Sequence, residues 1–405
     1  MKLVSNRMRC FLIQDSASKV AKPALLIILL NTLALLRIRM SFDRMAPDPG
    51  FWFLQQVYEE NFLHVFSNQD GFLHIAPRLC YEVVSLFPIE KQALAGSVGM
   101  QLIFGSVATL VFFVLRIETR SFLLSLLGSL IVVTVPAAGE STVGNLGSVK
   151  WPLTILLVFV LSSQTTMHRF QKLSIACALL VGLSQPYSVL CILPSIFKRF
   201  VARNALSFTK AEWCILLTTA VQLATWIASG VALQKYGEPT YFAWTGMGIF
   251  WYSVWLVPTL TGLFVLLLSY LNKRLPGSFF RFEVRLASSA VLLAVASYVQ
   301  LGIKDSSAVA PQAVSLVALF LTVQGIGDWV GSNARRLLTG FFFVLVMIAS
   351  LKWFNASWYL TSGPTWSSEI QRTRSMCLQD GVDVVTIKQF MGDTTLDCAQ
   401  VLNGR

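Results

Sequence analysis

Apolar runs recur along the chain at lengths that suit a bilayer. Read as helices, they give eleven membrane segments: 23–39, 93–115, 121–137, 151–165, 173–184, 186–197, 213–233, 248–271, 286–303, 309–327 and 337–353. Several come near the roughly 20 residues that cross a hydrocarbon core. Gln185-Pro186 divides one long run into two short halves, which leaves a tight helical hairpin and a single kinked span both open. Between the first two runs the pattern changes. Phe51, Leu54, Tyr58, Phe62 and Val65 recur at helical spacing, with Gln55, Glu59 and Glu60 elsewhere on the wheel, which predicts an amphipathic helix to about Phe66 lying in the interface. A turn at Asn68-Gln69-Asp70-Gly71 and a second amphipathic helix from His74 to Phe87 follow, with Pro77-Arg78 near its first turn.

Composition sharpens the class. Hydrophobic residues make up 55% of the 405, and charged residues only 13%, against about 25% charged in a soluble domain. The expected fold is an all-α polytopic membrane protein of about eleven segments (ten to twelve). Its parts are a basic N-terminus over 1–22, a membrane domain over 23–353 with an outer loop at 40–92, and a tail over 354–405. A soluble enzyme, a nucleic-acid binder and a strand-alternating outer-membrane barrel are excluded.

The net charge of +12 reads as topology. With the N-terminus in the cytoplasm, the inner segments hold 19 of the 32 Lys and Arg but only 5 of the 20 acids. That satisfies the positive-inside rule, suits anionic lipid and puts the C-terminus outside. The first run ends in Leu36-Arg37-Ile38-Arg39-Met40 without a small-residue cleavage site, which predicts an uncleaved anchor.

Candidate chemistry gathers in the outer segments. The first carries Asp43, Asp48, Asp70, His64, His74 and Arg78. The second, from Pro136 to Pro152, is Gly-rich and carries Glu140, Asn145 and Lys150. The third is the tail, where Cys377 and Cys398 flank a strand-like Val382–Ile387 and form the natural disulfide pair of an oxidising exterior. Tyr236, Tyr241, Phe242, Trp244, Phe250, Trp251 and Trp255 form an aromatic belt. No cofactor motif is present. A divalent cation is the one cofactor left open, with His64, His74 and Asp70 at no tight ligand spacing.

In build, the chain resembles the GT-C superfamily of membrane glycosyltransferases, and in detail a group of bacterial multi-pass proteins of that type. Phage-type serotype-converting glucosyltransferases have a similar build. The residues that carry the resemblance are Asp70-Gly71 followed by Pro77-Arg78-Leu79, the Glu140, Asn145 and Trp151 loop, Leu183-Ser184-Gln185-Pro186, and the Cys377 and Cys398 pair. The adjacent acidic pair or Asp-x-Asp often found after the first span is absent: Asp43 and Asp48 stand five apart with a proline between.

The resemblance implies transfer of a sugar from a polyprenyl-phosphate donor to a glycan or lipid acceptor on the outer face of a bacterial cytoplasmic membrane. Such transfer needs a carboxylate to take the acceptor's proton and cations for the departing phosphate. The candidate bases are Asp43, Asp48, Asp70 and Glu140. Arg78, His74, Asn145 and Lys150 are the candidate substrate-binding residues. For Asp48-Pro49 the competing reading is a helix N-cap, and for Arg78 it is snorkelling to lipid head groups. The alternatives in function are a transporter or flippase of lipid-linked glycans, a polysaccharide polymerase or ligase, and a non-catalytic scaffold. A transporter should carry ionisable groups at mid-depth, and the apolar runs carry essentially none.

Overall fold

A computed structural model describes residues 23–38, 42–45, 50–60, 62–69, 71–135, 144–196, 208–230, 282–301, 305–330, 363–379, 382–388 and 393–403, with scattered helical positions between 260 and 344. Most of the predicted segments 248–271 and 337–353, and all of the aromatic belt, the basic N-terminus over 1–22 and the acids Asp48, Asp70 and Glu140, lie outside the described residues.

The apolar runs become helices whose ends follow local chemistry. Helix α1 is Pro23–Leu36, and α2 is Gly50–Glu59. The predicted continuation of α2 breaks: Phe62–Phe66 is a separate 3-10 turn. Strands β1 (Asn68–Gln69) and β2 (Phe72–Leu73) form a small antiparallel hairpin before α3 (Ile75–Ser85). Helix α4, Gln92–Thr119, stops where Arg120 takes a left-handed conformation and donates its backbone N–H to Arg116. Helix α5, Phe122–Val133, starts at Ser121, whose hydroxyl accepts the Leu124 N–H. After it come α6 (Lys150–Ser162), α7 (Gln164–Arg169) and α8 (Gln171–Gly182).

The segment predicted at 186–197 is not a spanning helix. With Gln185 extended and proline next, Pro186–Ile192 winds as a 3-10 turn. Helix α9, Lys210–Ser229, opens with a Thr209 and Glu212 capping box and closes on left-handed Gly230. Helices α10 (Phe282–Leu301) and α11 (Asp305–Val330) follow. Among the described residues, Ile89–Thr119 and Lys210–Ser229 are long and apolar enough to cross a membrane, and six further apolar helices are shorter.

Helix α6 is the hub. It packs against α4, α8, α10 and α11, and from Ile155 to Leu161 every side chain is buried, as expected of a helix apolar all round. Helix α1 crosses α4 at Gly105, where a Cβ would meet the Asn31 backbone at 2.8 Å. Its buried Arg37 donates to the Val133 carbonyl at 2.6 Å and the Val135 carbonyl at 3.2 Å, tying down the end of α5.

The tail folds as α12 (Trp366–Cys377), the antiparallel pair β3 (Val384–Ile387) and β4 (Thr394–Asp397), and a last turn α13 (Cys398–Asn403). The Cys377–Cys398 disulfide closes it. The tail sits on the segment that joins α1 to α4. The buried Trp366 indole donates to the Ile89 carbonyl at 2.5 Å, Arg374 pairs with Glu90, and Gln400 donates to the Tyr58 carbonyl at 3.3 Å.

Candidate functional site

On either side of the Asp70-Gly71 signal the chain pairs as a hairpin, Gln69 with Phe72 and Asn68 with Leu73. Gly71 takes φ 86°, a left-handed backbone that glycine adopts without steric cost. The hairpin leads into α3, whose first turn is capped from a distance. His74, just before it, makes no capping bond. Instead Ile75 donates its N–H to the Leu183 carbonyl at 3.4 Å and Ala76 to the Ser184 hydroxyl at 2.8 Å. Leu73 is held from the side by the buried Gln222 of α9, which accepts its N–H at 2.9 Å and donates to its carbonyl at 3.2 Å.

His74 is therefore left for other contacts. Its ring lies 6.0 Å from that of Phe53 on α2. Burial, followed by the charges of Lys150 and Arg78, holds its imidazole well below the usual 6.5, and a hydrogen bond with the Gln69 backbone opposes this. It is neutral at pH 7. Arg78, four residues on, lies on the same face of α3 and is fully buried. It donates to the His64 carbonyl and the Ser67 hydroxyl, and its guanidinium lies 5.5 Å from the centre of the Phe53 ring. Burial brings it down to about 10, with the Glu60 charge opposing, so it stays cationic at neutral pH. This burial corrects the snorkelling reading: the guanidinium is turned into the protein.

Lys150 begins α6, with its ammonium 5.6 Å from the Trp151 ring centre. Ahead of it, buried Asn145 accepts the Gly147 N–H at 2.9 Å and so caps the 3-10 turn Leu146–Ser148, which packs on α3. The charges of Arg78 and Lys150 both act on the His74 imidazole. Asn145 acts on the backbone that positions Lys150.

Asp43 stands elsewhere. Its carboxylate accepts the Ser367 N–H at 3.2 Å and the Ser367 hydroxyl, and its carbonyl accepts the Trp366 N–H at 2.8 Å. It thereby supports the start of α12. Asp48, Asp70 and Glu140 are outside the described residues.

His64 and His74, the candidate metal ligands, point to different partners: His64 lies 3.5 Å from Glu82, and His74 packs on Phe53. Among the described residues, no group of three or more His, Cys, Asp or Glu side chains could hold a metal ion. Phe53, Ser184 and Gln222 escaped the sequence reading. Ser184 sat within a motif whose chemistry was not read, and Gln222 is a lone polar residue in a membrane run.

No protein family and no curated protein matches the chain. Among solved structures, it is similar to the crystal structure of the Archaeoglobus fulgidus oligosaccharyltransferase in complex with zinc and sulfate. The TM-score is 0.50 at 12% sequence identity, covering 88% of this chain and 56% of that one. The chain spans little more than half the length of that enzyme. The likeness is one of fold, between this mostly helical chain and that enzyme.

Proposed function

We propose that this protein is a membrane glycosyltransferase that moves a sugar from a polyprenyl-phosphate donor to a glycan or lipid acceptor on the outer face of a bacterial cytoplasmic membrane. In this topology the N-terminus is inside and the C-terminus outside. One observation carries the reading: buried Arg78 and the neutral His74 stand together at the start of α3 beside Phe53, and the charge of Lys150 at the head of α6 acts on the same imidazole. Two fixed cations in a partly desolvated site suit a phosphate that gains charge as its bond to the sugar breaks. The similarity of fold to an oligosaccharyltransferase supports the same class.

In the proposed step, the acceptor oxygen bonds to the anomeric carbon as the bond from that carbon to the phosphate oxygen breaks. The acceptor's proton passes to a carboxylate, and the electron pair leaves with the prenyl phosphate. Asp70 is the proposed base, because the chain places it between Gln69 and Gly71 of the hairpin. Asp48 and Glu140 are the alternative bases. Asp43 is assigned to holding the tail.

The test is transfer by purified protein from a panel of radiolabelled polyprenyl-phosphate sugars, with and without EDTA. Wild type is compared with Asp70→Asn, Asp48→Asn, Glu140→Gln, Arg78→Lys and Lys150→Met. Consumption of one donor, and its loss in one acid variant that remains folded, supports the reading. Tight donor binding without consumption overturns it in favour of a flippase or scaffold.

A further inference from the structure

Helix α3 and the hairpin before it belong to the outer loop, yet their backbone is held by the membrane helices. Gln222 takes both backbone groups of Leu73, as a neighbouring strand would, and its amide also donates to the Gly182 carbonyl at 3.2 Å. Two residues further along the chain, Leu183 and Ser184 accept the first two N–H groups of α3. Gln222 and Ser184 are each about 1% exposed. The bonds to Leu73, Ile75 and Ala76 join residues 108 or 149 positions apart, and the one to Gly182 joins residues 40 apart.

The approach depends on Gly182. A Cβ there would collide with the Thr218 hydroxyl and come within 2.7 Å of the Thr218 Cβ. Thr218 lies one helical turn before Gln222 on α9. Close packing of α8 on α9 thus sets how far the Gln222 amide reaches.

The N–H groups of a helix's first turn have no partner within the helix, and the residue before it ordinarily supplies one from its own side chain. Here that residue is His74, whose ring packs on Phe53 and bonds with the Gln69 backbone instead, within reach of the charges of Lys150 and Arg78. Capping falls to Ser184, and the imidazole stays on the hairpin side of α3.

We propose that Gln222 and Ser184 form a clamp on the Leu73–Ala76 backbone that positions His74 and Arg78 against Lys150, making both of them positioning residues for donor binding. This rests on the glycosyltransferase reading for its functional consequence but not for the clamp itself. The two are separated by measuring hydrogen exchange and transfer on the same variants.

The variants are Gln222→Met, which keeps side-chain volume and removes every bond to Leu73 and Gly182, Ser184→Ala, and the conservative Ser184→Thr. In full-length protein in detergent, amide exchange over 68–80 accelerates in Gln222→Met and Ser184→Ala, while the tail over 366–403 exchanges as in wild type. In transfer assays both variants raise the donor KM and lower kcat/KM by up to about 10²-fold, the scale on which a displacement of about 1 Å acts. Ser184→Thr, which keeps the hydroxyl, restores both towards wild type. A purely structural role would reduce activity with the folded fraction and leave donor KM unchanged.

Unchanged exchange over 68–80 in folded variants overturns the clamp. Accelerated exchange with unchanged donor KM overturns its positioning role. If wild-type protein consumes no donor, the glycosyltransferase reading fails, and the exchange data alone decide whether the clamp stands.

Discussion

Asp43 holds Ser367 from 324 positions away, accepting both its backbone N–H and its hydroxyl. Next to this pair, the Arg44 guanidinium donates to the Gly363 carbonyl at 2.5 Å. The segment just after the first membrane run thus acts as a receptor for the start of the tail. A carboxylate that sequence position alone makes the best base has its oxygens committed to the α12 N-terminus, where negative charge also suits the helix dipole.

Substitutions at Asp43 therefore separate the two roles. Asp43→Asn keeps an oxygen for the Ser367 N–H and retains transfer within a few-fold of wild type. Asp43→Ala keeps the Thr365 cap of α12 but loses both bonds to Ser367, at about 1 kcal/mol, and speeds amide exchange at the start of α12. A general base would instead lose roughly 10²–10⁴-fold activity in Asp43→Asn. Turnover and exchange measured together on both variants distinguish these outcomes.

The disulfide joins the end of α12 to the start of α13 across the tail. Cys377 and Cys398 are 21 positions apart, and a loop of that order is worth about 3 kcal/mol in chain entropy. Besides it, the tail relies on Glu369, which accepts from Arg372 and from the Lys388 N–H, and on Arg372, which donates to the Thr386 carbonyl at 2.8 Å. Reduction, or Cys377→Ser with Cys398→Ser, is expected to open β3, β4 and α13 to protease first. Helices α4 and α6 should remain protected. Mass spectrometry of timed digests reads this directly.

What the sequence made legible was set by periodicity and by pairs of like residues. Long apolar runs announced α4 and α9, and two cysteines in the tail announced their bond. Periodicity could not reveal that the predicted helix beyond residue 51 stops at Glu59, because Phe62 and Val65 continue the apolar stripe while the backbone tightens into a 3-10 turn. Nor could it show that Asp43 faces Ser367, or that Ser184 caps α3. Each is one polar contact across more than a hundred residues, set by the folded path and invisible to any local window. Gln222 was the partial exception, since a lone amide in an apolar run requires a partner; the partner's identity came only from the fold.

His74 makes acid stability a readout of the cation cluster. Its folded pKa lies below the unfolded value near 6.5, so between those two values the unfolded chain binds more protons. Stability then falls as pH drops below about 6.5 and is unaffected above it, with a slope of at most about 1.4 kcal/mol per pH unit for one group. Lys150→Met removes one of the charges that depress the imidazole. The acid-induced loss of stability should therefore level off at a higher pH in Lys150→Met than in wild type, because the loss ends where the folded imidazole protonates. Thermal unfolding followed downward from pH 8 until the wild-type loss levels off compares the two; coincident plateaus would mean that the charge of Lys150 does not reach His74.

Gly182 tests whether α8 and α9 must touch for the site to form. Adding a methyl there sets a Cβ against Thr218, with backbone-linked atoms on both sides and no flexible side-chain end to give way. Overpacking of this kind costs typically 1–3 kcal/mol, so Gly182→Ala should lower the thermal midpoint of the purified protein. Thr218→Ala removes the hydroxyl that collides but leaves a Cβ 2.7 Å from the new methyl. The double variant should therefore recover only part of the loss. Because Gln222 rides on the same helix, the single variant should also loosen the 68–80 amides, and the double variant should re-protect them in proportion to the stability regained. Full rescue by Thr218→Ala would show that the helices can separate slightly without harm. No rescue would mean that the strain is released elsewhere than at this contact. Partial rescue of both midpoint and exchange would tie the packing of two membrane helices to the placement of the outer-loop site.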